Sequence, residues 1–223
     1  MQLLYIHGLD SNANAEKGKL LEQFCAVHFP HINVVRPDLN VAPAEAMARL
    51  QAIIAADPDT GLVGSSLGGF YATLASNLTG KRAVLINPST HVGESLKRFF
   101  PDNFANLPAD YVGHTTPDGW AITKAHIEWL IDHRPKRATF ADKILLLVKT
   151  GDELLDYREA VDYFSQSAAE QNGQCHIIIE EGGDHRMSDF ASKRAQIIQF
   201  LFGLPVLSSP ANAPTSSHLP TRK

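Results

Sequence analysis

Gly61-Leu62-Val63-Gly64-Ser65-Ser66-Leu67-Gly68-Gly69-Phe70 is the stretch on which the reading of the whole chain turns. Residues 61–63 form a strand candidate, and from 67 to 78 the pattern predicts a helix. Between them a serine stands among glycines. Strand, tight turn and helix together make the setting in which a serine hydroxyl is held proud of a sheet. Glycines two places before and after Ser66 leave room for close backbone approach. The start of the following helix adds positive potential where an oxyanion would form. A plain Gly-Ser turn joining strand to helix is the simpler alternative. A phosphate-binding loop fits less well, because there is no G-x-x-x-x-G-K-[ST] and the spacing is not G-x-G-x-x-G. Ser65 is a second candidate nucleophile, off-centre between the glycines.

Outward from this turn, short apolar runs alternate with amphipathic segments. Strands are expected at 3–6, 32–35, 61–63, 83–86, 144–148 and 175–179. Helices are expected at 17–29, 44–56, 67–78, 157–171 and 188–202. Strands rich in Val, Ile and Leu without polar alternation belong to parallel sheets covered on both faces. Strand-helix-strand repetition gives right-handed crossovers and a doubly wound α/β fold, here with a mostly parallel six-stranded sheet. Reactive groups in such folds gather at the carboxyl ends of the strands. Residues 89–140 break the rhythm with Pro101, Pro108, Pro117 and Pro135 and one helical patch at 123–131. A connection that long reads as a lid-like insertion. Residues 1–203 are expected to form one domain, and 204–223, with four prolines among small residues, a disordered tail.

The chain has 223 residues, 44% of them hydrophobic and 20% charged, with a net charge of −4. No basic run or stripe appears, so a nucleic-acid partner is not expected. No apolar stretch approaches the roughly 20 residues of a membrane span. The apolar run at 3–6 is too short for a signal peptide and lacks a basic flank, so the cytoplasm is the expected location. Cys25 and Cys175 form no C-x-x-C pair and read as two buried thiols, which fits a reducing compartment. There is no H-E-x-x-H, and the cysteines lack metal-ligand spacing, so neither a metal nor an organic cofactor is expected.

A serine nucleophile needs a general base, and the base needs an orienting carboxylate. In α/β folds of this kind they follow in the order serine, acid, histidine. Thr150-Gly151-Asp152-Glu153 follows the fifth strand, and Glu181-Gly182-Gly183-Asp184-His185 the sixth, both on loops read as loosened by glycine. His185 is the expected base and Asp152 the expected acid. Asp156 is second choice, since a helix N-cap explains it, and Glu153 is third. Asp184 is read as a loop residue and the other histidines as surface or capping groups. The backbone N–H groups of Leu67 and Leu9 are the expected oxyanion donors, with Gly8 letting the first turn fold back. His7 is read as structural, hydrogen-bonded to a neighbouring loop. Phe99, Phe100, Trp120 and Trp129 are read as packing within the insertion, with substrate contact as the alternative.

Taken together, the blocks 3–8, 63–69, 87–88, 150–158 and 181–185 resemble the YqiA/YcfP-like group of small bacterial esterases. The resemblance implies an α/β-hydrolase core lacking the first two strands of the larger fold, and carboxylesterase activity that in at least some members of the group includes acyl thioesters. It also implies a bacterial cytoplasm, with Ser66, Asp152 and His185 as nucleophile, acid and base. Residues 89–140 and the proline-rich tail depart from the group's pattern. The expected activity is cleavage of a small-molecule acyl ester or thioester. An acyltransferase of the same fold and a non-catalytic hydrolase-shaped binding protein are the alternatives.

Overall fold

The computed structural model describes residues 1–170 and 173–205. Six strands form one sheet: β1 (Gln2–Ile6), β2 (Asn33–Val35), β3 (Thr60–Ser65), β4 (Ala83–Ile86), β7 (Ile144–Lys149) and β8 (His176–Glu180). They lie in the order β2-β1-β3-β4-β7-β8, and every neighbouring pair is parallel. The order reverses between β1 and β3, so the carboxyl ends of these two strands flank the crevice where such sheets bind ligands.

Successive side chains on a strand point to opposite faces, and here both faces are dry. Leu4, Ile6, Leu62, Leu85 and Leu146 face one core with α2 (Pro43–Ala56), α3 (Leu67–Thr79) and α6 (Tyr157–Glu170). Leu3, Tyr5, Val63, Val84, Ile86, Leu145 and Leu147 face the other, with α1 (Glu16–His28) and α7 (Arg194–Phe202). Each fully buried leucine or valine contributes about 1.5–3 kcal/mol relative to exposure. That explains why the strands read as unbroken apolar runs. Proline at the first turn opens α2, and left-handed glycines, Gly80 at φ +68° and Gly203 at φ +70°, close α3 and α7.

The segment between β4 and β7 carries α4 (Val92–Leu96), an antiparallel hairpin of β5 (Val112–Thr115) and β6 (Ala121–Thr123), and α5 (Lys124–Asp132). The helical patch is present, but the hairpin is not foreseen by the sequence pattern. Its strands are three and four residues long and only partly buried, so no apolar run marks them. Gly113 lies where a Cβ would strike the Phe100 ring, which explains the glycine inside β5. Thr123 and His126 form a reciprocal capping box at the start of α5. The four aromatic residues pack within the insertion: Phe99 stacks on His114, Phe100 meets Phe104 edge-on, Trp120 lies against His126, and Trp129 stacks on His133.

The last helix begins later than the pattern suggests. Met187 sits at φ +50°, which no helix accommodates, and residues Phe190–Lys193 form a single 3₁₀ turn before α7. The expected end of the 157–171 helix, and the expected tail from residue 206 onward, lie outside the described residues. Cys25 and Cys175 are free and buried, and burial pushes their thiols up to about 11 and about 12. No described helix is long and apolar enough to cross a membrane.

Candidate active site

Ser66 occupies the turn between β3 and α3 at φ +55° and ψ −119°, a backbone conformation that L residues rarely adopt. The turn is pinned from two sides. The Ser66 N–H donates to the Ile86 carbonyl at 3.0 Å, and the Ser66 carbonyl accepts from Gly69 at 2.9 Å and Ser89 at 3.2 Å. Gly68 cannot be replaced without collision, because a Cβ there would run into the Ile6 carbonyl at the end of β1. The sequence pattern thus folds as it reads: the elbow packs against the ends of both neighbouring strands.

His185 and Asp152 meet across two loops. The His185 Nδ1–H donates to Asp152, 2.8 Å from Oδ2 and 3.0 Å from Oδ1. The Asp152 side chain is 2% exposed and that of His185 13%. Burial works to raise the Asp152 carboxyl. The hydrogen bonds from His185 and from the Leu155 and Leu154 amides outweigh it and hold the group below the usual carboxylate value. Asp152 therefore stays ionised, fixing the tautomer that leaves Nε2 as an acceptor.

The glycines of these loops bring backbones together rather than loosening them. A Cβ on Gly151 would lie 2.5 Å from the Gly183 carbonyl, and the two turns are laced by Thr150 N–H to Glu180 O and Gly151 N–H to Gly182 O, both 2.9 Å. Gly182 and Gly183 themselves use positive φ.

Asp156 does not reach the imidazole. Its side chain accepts from the Arg158 N–H at 3.0 Å, in the first turn of α6, the capping role that competed with an acidic one. Glu153 touches the site differently, its carboxylate accepting the His185 backbone N–H at 2.9 Å. Asp184 is engaged by Ser188 within its own loop. His7 is buried and doubly bonded, donating from Nδ1 to the Gly8 carbonyl and accepting the Leu39 N–H on Nε2, both at 2.9 Å.

Ser66, His185, Leu9 and Leu67 line one cavity of about 590 Å³, with α4 residues Val92, Ser95 and Leu96 on the insertion side. No hydrogen bond joins Ser66 Oγ to His185 Nε2, although both residues line this cavity. Such bonds commonly tighten only when substrate is present. Among the described residues no acceptor takes the N–H of Leu9 or of Leu67, so both are free to serve a ligand.

Two groups have positioning roles that the sequence pattern does not show. Asn87, at φ +39°, donates from Nδ2 to the carbonyls of Asp184 (3.1 Å) and His185 (3.0 Å) and accepts the Lys149 N–H at 3.0 Å. It fastens the His185 loop to β4 and β7. Lys149, 7% exposed in its side chain, pairs with Glu180 (2.7 Å) and Asp189 (2.8 Å) on either side of that loop. The sequence signals for Asn87 are its place at a strand's carboxyl end before a proline and its block in the YqiA/YcfP-like resemblance.

Residues 2–202 match the uncharacterised protein family UPF0227. The chain belongs to that family. The matched span includes residues 89–140, so the insertion lies within the length shared by UPF0227. A UPF0227 relative, YE1706 from Yersinia enterocolitica, is 24% identical over 203 residues, covering 89% of this chain and 97% of its own. Among solved structures, Est1E from Butyrivibrio proteoclasticus superposes with a TM-score of 0.69 at 16% identity, over 91% of this chain and 87% of its own. Mouse alpha/beta hydrolase domain-containing protein 10 does so with a TM-score of 0.63 at 20% identity, over 88% and 87%. This UPF0227 member therefore has the α/β-hydrolase fold, in agreement with the YqiA/YcfP-like resemblance.

Proposed function

We propose that the protein is a serine hydrolase that cleaves carboxylic esters or acyl thioesters through an acyl-enzyme. Ser66 Oγ attacks the carbonyl carbon while His185 Nε2 takes its proton. The same proton passes to the leaving alcohol or thiol. Water, activated by His185, then attacks the acyl-serine and releases the acid. Asp152 keeps the imidazole in register, and the Leu9 and Leu67 amides bind the oxyanion, an interaction for which each donor is typically worth ~10²–10³ in rate. The chemistry calls on no metal and no organic cofactor.

The observation that carries this reading is the buried Asp152–His185 hydrogen bond opening on the cavity that Ser66 lines. A binding-only role leaves that ionised, desolvated carboxylate and the strained serine without a use. The insertion, through Val92 and Leu96, walls the acyl side of the cavity and acts as a lid to one compact domain. Two free, buried thiols fit a reducing cytoplasm.

A fluorophosphonate probe tests the assignment. Wild type labels at Ser66, and Ser66→Ala abolishes both labelling and hydrolysis of p-nitrophenyl butyrate. Folded wild type that neither labels nor turns over any ester or thioester of graded acyl length rules the proposal out. Activity that survives Ser66→Ala moves the nucleophile to Ser65.

A further inference from the structure

Lys17 on the first turn of α1, Arg98 in the insertion and Arg186 beside His185 all line the Ser66 cavity. Among the described residues none of the three forms a side-chain hydrogen bond or a close ion pair; Arg98 stacks over Phe99 at 4.8 Å, and Lys17 feels the charges of Glu16 and Asp184 at longer range. The acids of the same wall are occupied elsewhere. Asp10 pairs with His114 at 2.7 Å, and Glu153 holds the His185 N–H. Glu16 is exposed at the positive end of α1, where a carboxylate is favoured without any partner.

Lys17 is half-buried. Burial holds its ammonium below the usual lysine value; Glu16 and Asp184 work against that, and the charge of Arg186 adds to the lowering. Lys17 and Arg186 thus put two like charges on one cavity wall, and the nearby Asp184 carboxylate is already engaged by Ser188. The N-cap of α1, Ala15, offers no side-chain cap, and Ala15, Glu16 and Lys17 all belong to the cavity wall. An uncapped helix start beside unpaired cations is a place for an anion. The chain carries a net charge of −4, so this cluster is not the by-product of an excess of basic residues.

We infer that the substrate carries an anionic group, a carboxylate or a phosphate, bound by Lys17 and Arg186 at the start of α1, with Arg98 contributing from the insertion. This rests on Ser66 being the nucleophile. It adds that the ester or thioester is charged within a few bonds of the reacting carbonyl.

Two substrate pairs locate the charge. p-Nitrophenyl glutarate against p-nitrophenyl pentanoate tests the acyl side. The butyryl thioester of 3-mercaptopropionate against that of N-acetylcysteamine tests the leaving side. In at least one pair, wild type prefers the anionic member by about tenfold in kcat/KM, the worth of one charge-assisted hydrogen bond. Lys17→Met/Arg186→Met brings the ratio near one, and Lys17→Arg retains most of the preference, which separates lost charge from misfolding. Ratios near one in wild type for both pairs, or a preference that survives in the double variant, overturn the inference. Calorimetry with glutarate and inorganic phosphate on Ser66→Ala keeps the two proposals apart. If no ester is cleaved but binding is seen and is lost on adding Lys17→Met/Arg186→Met, the anion site stands and the hydrolase reading falls. If no ester is cleaved and neither anion binds, both fall.

Discussion

The turn that carries His185 and the turn that carries Leu9 reach the same cavity from opposite sides, but they are held by different means. The 181–189 turn is fastened from below. Asn87 takes hold of two of its carbonyls, Gly151 lies against its backbone, and the buried Lys149 ammonium ties it to β7. The 8–14 turn is held at its start by buried His7, which donates to the Gly8 carbonyl, and beyond that mostly by side chains nearer the surface. Asp10 meets His114, Asn12 donates to Asp118 at 2.9 Å, and Asn40 donates to the Ser11 carbonyl at 2.9 Å. His114 and Asp118 belong to the insertion's hairpin, so the outer part of this turn is coupled to the insertion as well as to the sheet, while the other follows the sheet alone. Buried groups left unpaired cost about 1–3 kcal/mol each, whereas surface pairs are worth about 0–1 kcal/mol. The proposed base, His185, is therefore held rigidly, and beyond Gly8 the turn that carries Leu9 is held more adjustably.

The strongest way to break this comparison is at the acid. Asp152→Asn should lower kcat by ~10⁴ through loss of the correct imidazole tautomer. Asp156→Asn, a surface cap change worth about 0.5 kcal/mol or less, should leave kcat nearly unaltered. Equal losses in two folded variants would transfer the acid's role to Asp156.

Next in size is Asn87→Ala. It leaves two carbonyls and the Lys149 N–H without partners and puts alanine at positive φ, so unfolding free energy should fall by about 2–4 kcal/mol. kcat should fall with little change in KM, because the base shifts and the cavity does not. Denaturant melts beside steady-state kinetics check this. A variant with wild-type kcat would show that the His185 turn holds its place without Asn87.

A pH effect comes third. Burial holds His7 below its ordinary value of 6.5, against the hydrogen bond to Gly8 and the charges of Asp38 and Asp118. The folded state favours neutral His7 more than the unfolded state does. The stability tied to it is thus fully present above about pH 6.5 and is lost as pH falls through the lower folded value. Asp152, depressed from 3.8, acts only in a more acidic window. Between about pH 6.5 and 4.5, wild-type Tm should decline more steeply than that of His7→Asn. His126, also lowered by burial, keeps a residual slope in the variant. Parallel curves would remove His7 from the account.

The smallest effect is expected at Asp10→Asn. A partly exposed pair with His114 contributes about 0.2–1 kcal/mol. Tm should move little, and kcat/KM should fall by no more than about fivefold. A collapse of activity would mean that the upper turn is as rigidly held as the lower one.

These contrasts follow what was legible in the sequence. The central strands could be read because both of their faces are apolar and buried, so Leu3 and Leu4 need no alternation to reveal two cores, and the edge strands through their short Val and Ile runs. Ser66, Asp152 and His185 could be nominated because chain order and strand ends suffice, and the three side chains do fall at the carboxyl ends of β3, β7 and β8. The roles of Asn87 and Lys149 were not legible, since they depend on partners about 30 to nearly 100 residues away. The hairpin at 112–123 was hidden by short, half-exposed strands. Gly151, read as a source of looseness, is required by a close backbone approach, a distinction that no local pattern contains.

Serine at position 66 has a thermodynamic consequence of its own. Its backbone sits where only glycine is at ease, and strain of that kind is on the order of 1–3 kcal/mol. Folding alone would favour exchanging the side chain for a hydrogen. A chain selected for heat resistance and nothing else would drift toward glycine there, gaining robustness and losing its hydroxyl.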